Sequence, residues 1–294
     1  MPKTLVLLNA RAGLLRDSGA DNIVSALKST LARGQTDIRL LQPHDMGPAI
    51  AAAARGSHDT IIIGGGDGSV SRAAAALAGT QKVLGVLPFG TLNLLARDLG
   101  MPSDPKEAIA ALASATPRRI DLGSVADRPF HSLSGLGFFS QMARAREEVR
   151  AHPLGRFLGV ALAAWRAVRR TATFTLDISA DGRHSSAEAL AVLITNNRFA
   201  PDWRRQRLDE GVLEILIAED AGGLAKLKAS ADLVTGGWRE SDGIRSIIAR
   251  EVTITRHRRK VWTATDGELS REPIPLRYRI VPNALLALAA KTGA

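Results

Sequence analysis

The stretch Ile61-Ile62-Ile63-Gly64-Gly65-Gly66-Asp67-Gly68-Ser69, running on into Val70-Ser71-Arg72-Ala73-Ala74-Ala75-Ala76-Leu77, constrains the fold more than any other segment. Three β-branched residues without polar alternation read as a strand buried on both faces, and such strands belong to parallel sheets covered by helices. The alanine-rich run behind them is a good helix former. Between the two, glycines lack a Cβ, so successive N–H groups can converge on phosphate oxygens while the helix N-terminus adds partial positive charge. A plain strand-to-helix turn needs one glycine, which makes phosphate binding by Gly65, Gly66, Asp67, Gly68 and Ser69 the better reading of this joint. It is not the G-x-G-x-x-G dinucleotide fingerprint, because Asp67 and Ser69 occupy the turn, and no Gly-Lys-Ser/Thr follows to make a Walker loop. Asp67 suggests a metal or ribose contact.

Around this joint the N-terminal part alternates strand and helix. Strands are expected at 4–9, 36–41, 59–64 and 82–88, with helices near 20–33 and 47–55, from 70, and near 92–99 and 104–115. Ligands of such sheets bind outside the carboxyl ends of the strands. The loop Pro88-Phe89-Gly90-Thr91-Leu92-Asn93 repeats the logic of the first, with Thr91 and Asn93 at a helix start, where helix capping is the commoner use of such residues. A third polar loop, Asn9 to Gly13, follows the first strand. After about residue 120, Thr- and Ser-rich strands with period-two alternation indicate an antiparallel sandwich. Helices interrupt it at 139–150 and 154–170, and Asn283-Ala284-Leu285-Leu286-Ala287-Leu288-Ala289-Ala290-Lys291 has the composition of a final helix. The expected fold is thus α/β: an N-terminal Rossmann-like parallel-sheet domain over 1–122, rejoined by a C-terminal helix at 283–294, and a C-terminal antiparallel β-sandwich domain over 123–282, with a cleft between them.

Composition removes several alternatives. The 294 residues are 45% hydrophobic and 23% charged, which is globular, and the absence of cysteine excludes disulfide, thiolate-metal and thiol-nucleophile chemistry. No apolar window reaches the roughly 18 residues of a membrane span, and the N-terminus has only a four-residue apolar run, so neither a span nor a signal peptide is expected. The six histidines, His44, His58, His131, His152, His184 and His257, share no metal-ligand spacing and are expected in loops or at the surface; no Gly-x-Ser-x-Gly elbow is present. Of the net charge of +10, residues 126–294 carry +7, a field that attracts polyanions without specifying which. Residues 154–170 form a basic amphipathic helix pattern, which can lie on an anionic bilayer or pack on the sandwich; packing is the commoner outcome. Trp203, Arg204, Arg205 and Arg207 form a basic-aromatic cluster with no RNA-module signature beside it.

Taken together, the loops resemble the diacylglycerol kinase catalytic domain family, which includes bacterial lipid kinases and the sphingosine and ceramide kinases. Its pattern begins with an Asn-Pro-x-x-Gly-like start, here Asn9-Ala10-Arg11-Ala12-Gly13. It continues with a Gly-Gly-Asp-Gly-Thr loop, here Gly65-Gly66-Asp67-Gly68-Ser69, and a Pro-x-Gly-Thr-x-Asn loop, here Pro88 to Asn93. A late Asp-Gly-Glu stands at Asp266-Gly267-Glu268. The resemblance implies ATP as phosphoryl donor, held by Asn9, Gly65 to Ser69, Thr91 and Asn93. Asp67, Asp266 and Glu268 become the catalytic carboxylates, with either of the last two as base toward an acceptor hydroxyl. It further implies Mg2+, including a structural site at Asp209-Glu210-Gly211, with the Glu210 carboxylate and the carbonyls of Arg207 and Val212 as ligands. Glutamate is one methylene longer than the family's aspartate there, which fits the short octahedral geometry of magnesium poorly. Ala10, Ser71 and Gln42 also depart from the usual pattern. Standing alone, Asp266-Gly267 reads as a hairpin turn.

The activity expected on this resemblance is an ATP-dependent lipid kinase acting on a hydroxyl of a diacylglycerol-like or sphingoid lipid. Its setting is the cytoplasm, with peripheral contact at an anionic inner membrane face, no nucleic-acid partner, and a homodimer allowed. Two alternatives stay open: an NAD kinase-like enzyme, which would keep the glycine loop, and a non-catalytic nucleotide or lipid sensor.

Overall fold

The computed structural model describes residues 3–32, 34–150, 172–205, 207–219 and 243–291, so the basic amphipathic segment at 154–170 lies outside the described residues. The chain divides into two compact units, one made of residues 1–122 and 281–294 and the other of 123–280.

In the first unit, β1 (Lys3–Asn9), β2 (Gln35–Leu41), β3 (Thr60–Gly65) and β4 (Val83–Pro88) form a parallel sheet in the order β4-β3-β1-β2. Leu5, Val6, Leu7 and Leu8 are all buried, as are Ile61, Ile62 and Ile63, so both faces of these strands are covered as their apolar runs require. The covering helices are amphipathic: α2 (Ala20–Thr30) buries Ile23 and Leu27, and α4 (Asp67–Leu77) buries Val70, Ala73, Ala74 and Leu77 at i, i+3, i+4 and i+7. Further helices are α1 (Gly13–Ser18), α3 (Pro43–Arg55), α5 (Leu94–Asp98) and α6 (Pro105–Leu112). The start of α6 follows from its sequence, since Asp104 accepts hydrogen bonds from the Lys106 and Glu107 amides and Pro105 sits where no N–H is needed.

The C-terminal segment departs from expectation. Residues 283–289 are strand, the end of β15 (Leu276–Ala289), and Leu286 and Ala287 pair in parallel with Val83 and Leu84 of β4. Alanine and leucine favour helix only weakly, by tenths of a kcal/mol per residue. That preference loses to the backbone pairing and burial offered by the open edge of β4, where Leu285 and Ala287 are fully buried.

The second unit is antiparallel. Its elements are β6 (Arg128–Phe130), β7 (Leu133–Gly137), α7 (Phe138–Arg150), β8 (Phe174–Ala180), β9 (Arg183–Asn196), β10 (Leu213–Glu219), β11 (Ile244–Ala249), β12 (Glu251–Thr255), β13 (Lys260–Thr265) and β14 (Glu268–Pro273), together with the first part of β15. The chain enters within β5 (Thr116–Val125) and leaves within β15. The order runs β14-β13-β7-β9-β8-β12-β15, with β10 on the other edge of β9 and β11 beyond it. Inward residues of alternate positions, among them Phe130, Leu136, Ile178, Val192, Ile194, Ile215, Val252, Ile254 and Tyr278, make one continuous core. Sequence patterning missed β5, β11 and β14 as strands, because none of the three shows a clean apolar-polar alternation.

Candidate functional site

Three loops leave the carboxyl ends of neighbouring strands in the first unit. Leu8 of β1 pairs with Gly64 of β3, and Gly64 and Gly65 pair with Leu87 and Pro88 of β4, so the turns that follow emerge side by side. Because β2 lies on one side of β1 and β3 on the other, the switch point of the sheet falls between β1 and β3, under the Asn9 and Gly64 loops. The glycine and Pro88 loops touch: a Cβ on Gly90 would lie 2.5 Å from the Cα of Gly66. A Cβ on Gly64 would meet Leu8 Cδ2 at 2.5 Å and the Phe89 ring at 2.9 Å. The side chains of Ser69 and Asn9 flank Gly65, with Ser69 Oγ 3.2 Å and Asn9 Cβ 3.7 Å from the position its Cβ would take.

Asp67 ties the two loops together. Its carboxylate accepts from the Asn93 amide at 3.0 Å and the Leu94 amide at 2.8 Å, which caps the start of α5 from a loop 26 residues away in sequence. Asn93 has φ 49° and stitches its own loop: Oδ1 accepts from the Gly90 amide at 2.8 Å, while Nδ2 donates to the Pro88 and Gly90 carbonyls. Both residues therefore shape the cradle from behind. Gly66, the residue before α4, has no side chain with which to cap the helix, whose first turn contains Asp67, Gly68 and Ser69. Thr91 is exposed on the adjacent turn. Closely approaching glycine backbone, a helix N-terminus preceded by glycine and two flanking short polar side chains suit the oxygens of a phosphate chain.

In the second unit, Asp266 and Gly267 form the two-residue turn between β13 and β14, with φ 48° and 83° and with Thr265 opposite Glu268. Positive φ at both positions is what a type I′ hairpin demands, and Asp-Gly supplies it. The Asp266 side chain is buried, and its carboxylate accepts from the His131, Ser132 and Leu133 amides at 2.8, 2.9 and 3.2 Å, clamping the hairpin to the start of β7. Asp266 is thereby occupied as an anchor, and Glu268, exposed at the first position of β14, is the carboxylate turned outward. Behind the turn, Thr265 Oγ1 meets Ser134 Oγ at 2.8 Å, and Ser134 Oγ meets the Tyr278 hydroxyl at 3.1 Å. Burial pushes the Tyr278 phenol far above its ordinary value, so it stays protonated as a link in this chain.

The structural magnesium site implied by resemblance does not fit the residues present. Both oxygens of Glu210 are taken by Arg198: Oε1 accepts from Nη2 at 2.9 Å, and Oε2 accepts from Nε at 3.2 Å and from the Arg198 amide at 3.1 Å. Burial alone would raise the Glu210 carboxyl, but the Arg198 hydrogen bonds and charge outweigh it and hold the group below its usual range. The Val212 carbonyl accepts from the Asn197 amide at 2.9 Å, and the Arg207 side chain turns to Asp209. Among the described residues, no cluster of three or more His, Cys, Asp or Glu could hold a metal.

Two family profiles match this chain: the diacylglycerol kinase catalytic domain over residues 3–125, and the YegS C-terminal NAD kinase beta sandwich-like domain over residues 137–289. The chain belongs to the diacylglycerol kinase catalytic domain family. Among its relatives, the "Probable lipid kinase YegS-like" of Pseudomonas putida is 31% identical over 57% of this chain, a stretch spanning 58% of that protein. The "Diacylglycerol kinase" of Mycobacterium tuberculosis is 28% identical over 85% of this chain and 83% of its own length. A crystal structure of a diacylglycerol kinase from Bacillus anthracis superposes with a TM-score of 0.73 at 19% identity, over 98% of this chain and 97% of that one, and shows the shared fold. This chain is therefore a lipid kinase family member with a parallel-sheet unit and a β-sandwich-like unit.

Within that family frame, several positions carry roles that sequence reading did not assign. Arg198 has no motif signal, because it lies 12 residues from its partner Glu210 and only the fold joins them. His131, expected in a loop or at the surface, does lie in the loop between β6 and β7, but it is buried with Nε2 3.6 Å from Asp266 Oδ2, since its own amide is one of the Asp266 anchors. The Trp203 cluster also differs from a surface patch. Arg205 is 5% exposed, stacks on Phe199 and donates to the His131 and Asn196 carbonyls, and Trp203 packs against Phe199.

Proposed function

We propose that this protein is an ATP-dependent, magnesium-requiring lipid kinase that transfers a phosphoryl group to a hydroxyl of a diacylglycerol-like or sphingoid lipid. The observation that carries the nucleotide half is the contact of Gly66 with Gly90, secured by Asp67 across the two loops. On this reading the backbone of Gly65 to Ser69 and the Thr91 turn bind the phosphates, Asn9 and Ser69 flank them, and Asp67 and Asn93 hold the two loops in register. Magnesium, arriving with the nucleotide, would neutralise the charge that develops on transfer. Glu268 takes the proton of the acceptor hydroxyl, while Asp266 keeps the hairpin that presents it in place. Support for a lipid acceptor comes from the family and from relatives named as lipid and diacylglycerol kinases.

The test is radiolabelled phosphoryl transfer from ATP to diacylglycerol, sphingosine, phosphatidylglycerol and NAD in parallel. Label is expected in diacylglycerol or sphingosine and not in NAD. Label in NAD alone moves the assignment to an NAD kinase-like reaction, and ATP binding without transfer to any acceptor moves it to a sensor.

A further inference from the structure

Outside the motifs, the most concentrated charge of the second unit lies where β12 turns into β13. His257, Arg258, Arg259 and Lys260 are all exposed there, and with Arg271 of β14 they line a hollow of about 620 Å³. Four of the five lining side chains are permanent cations. The loop is fixed in shape, since the Arg258 amide donates to the Arg256 carbonyl at 2.7 Å and the Ile274 amide to the Arg259 carbonyl at 3.1 Å. Strand alternation extends the surface: Val261 and Thr263 point into the core, whereas Lys260 and Trp262 point out, and Trp262 faces Arg271 across the hairpin. Trp262 is 38% exposed, and Arg144 of α7 stacks on its ring at 5.3 Å.

Nothing described neutralises this surface. Among the described residues, no carboxylate pairs with Arg256, Arg258, Arg259, Lys260 or Arg271. Burial, and after it the neighbouring Arg258 charge, pull the Arg256 guanidinium below its ordinary value. A set of cations beside an outward tryptophan is the composition of a membrane-interface anchor, in which basic groups meet lipid phosphates and the amphipathic indole settles at headgroup depth. It suits single-stranded nucleic acid less well, because Arg144 already covers a face of the indole on which a base would stack.

We infer that the loop 256–260, with Trp262 and Arg271, is a docking surface for an anionic phospholipid bilayer. The inference rests on the lipid-kinase reading above, because an enzyme whose acceptor resides in a membrane must reach one. Along the β13–β14 hairpin the surface runs away from Glu268, beginning at Arg271 and Trp262, roughly 10 Å off by three residues of strand rise, and reaching Lys260 and its loop at the far end, roughly 17 Å or more away. It therefore contributes to docking and not to the transfer step.

Co-sedimentation of the full chain with vesicles tests it, using phosphatidylcholine alone and phosphatidylcholine mixed with phosphatidylglycerol. The wild type is expected to bind the mixed vesicles, to ignore the neutral ones, and to be released by raised salt. Each basic residue near an anionic surface contributes about a fivefold gain in partition, so R258Q/R259Q/K260Q lowers binding by about a hundredfold. The single reversal Arg258→Glu lowers it in the same direction, and an unshifted melting temperature certifies both folds. The partition needs no turnover, so it fails independently of the kinase reading, which transfer to a soluble short-chain diacylglycerol reports separately; the triple variant should retain that transfer. Wild-type protein that ignores the anionic vesicles, or a triple variant that binds them like wild type, overturns the inference. So does loss on substitution of binding to single-stranded RNA with no vesicle binding to lose.

Discussion

Replacing Gly90 by alanine tests the two-loop cradle most directly. The added methyl carbon would sit 2.5 Å from the Cα of Gly66 and 2.8 Å from Asn93 Oδ1. Carbon atoms in ordinary contact stand about 3.5–4.0 Å apart, so the loops must separate by roughly 1–1.5 Å. The obstacle is backbone and cannot swing aside as a flexible side chain would. Overpacking of this kind costs about 1–3 kcal/mol of stability, and a 1 Å misplacement of binding groups lowers turnover by about 10²-fold. Gly13→Ala serves as the control, because nothing lies within 4 Å of its added carbon. Fluorescent-nucleotide titration and phosphoryl-transfer rates, read beside a urea melt, should show Gly90→Ala weakened in both nucleotide affinity and rate while Gly13→Ala behaves as wild type. Native affinity and rate in Gly90→Ala would refute the claim that the close approach of these loops builds the phosphate site.

Asp67→Ala removes the cap of α5 and should destabilise the chain by about 1–2 kcal/mol, with Asp67→Asn intermediate; unchanged thermal melts would return Asp67 to a metal or ribose contact. Glu268→Gln should lower the transfer rate by about 10²–10⁴-fold with nucleotide affinity intact, whereas Asp266→Asn should act first on stability, as seen in denaturant titration. Equal stability losses in the two variants would contradict the division of roles between them. Exhaustive chelation in the absence of nucleotide should leave the melting temperature unchanged, because Arg198 already neutralises Glu210; a rise on adding magnesium would restore a metal to that loop. Arg198→Gln should be destabilising near neutral pH. Glu210 is held below its ordinary value of 4.5, so its contribution is present above that value and fades as the pH falls through the lowered one. A stability difference that persisted in strong acid would exclude the carboxylate as its source.

What the sequence made legible was local. The Ile61–Gly66 strand and turn, the Pro88 loop and the Asp-Gly turn announce themselves because their backbone demands single out particular residues. Which loops touch follows from strand order, and the parallel order was readable from the alternation of elements. The partners of Asp67, Asp266 and Glu210 were not readable. Each carboxylate answers to groups 12 to 135 residues away, and nothing in a carboxylate's local sequence says whether it faces an amide, a guanidinium or solvent. Residues 283–289 failed for a related reason: composition reports intrinsic preference, and the waiting edge of β4 decided the outcome.

That last strand has a consequence for biogenesis. Emerging from a ribosome, residues 1–122 contain the Asn9, Gly64 and Pro88 loops but lack the segment that pairs with Val83 and Leu84. Until Leu286 and Ala287 are synthesised, the nascent parallel-sheet unit carries an open edge that invites pairing with other chains. The first 122 residues are thus completed by a segment more than 150 residues further along, and removing residues 281–294 should harm the N-terminal unit first.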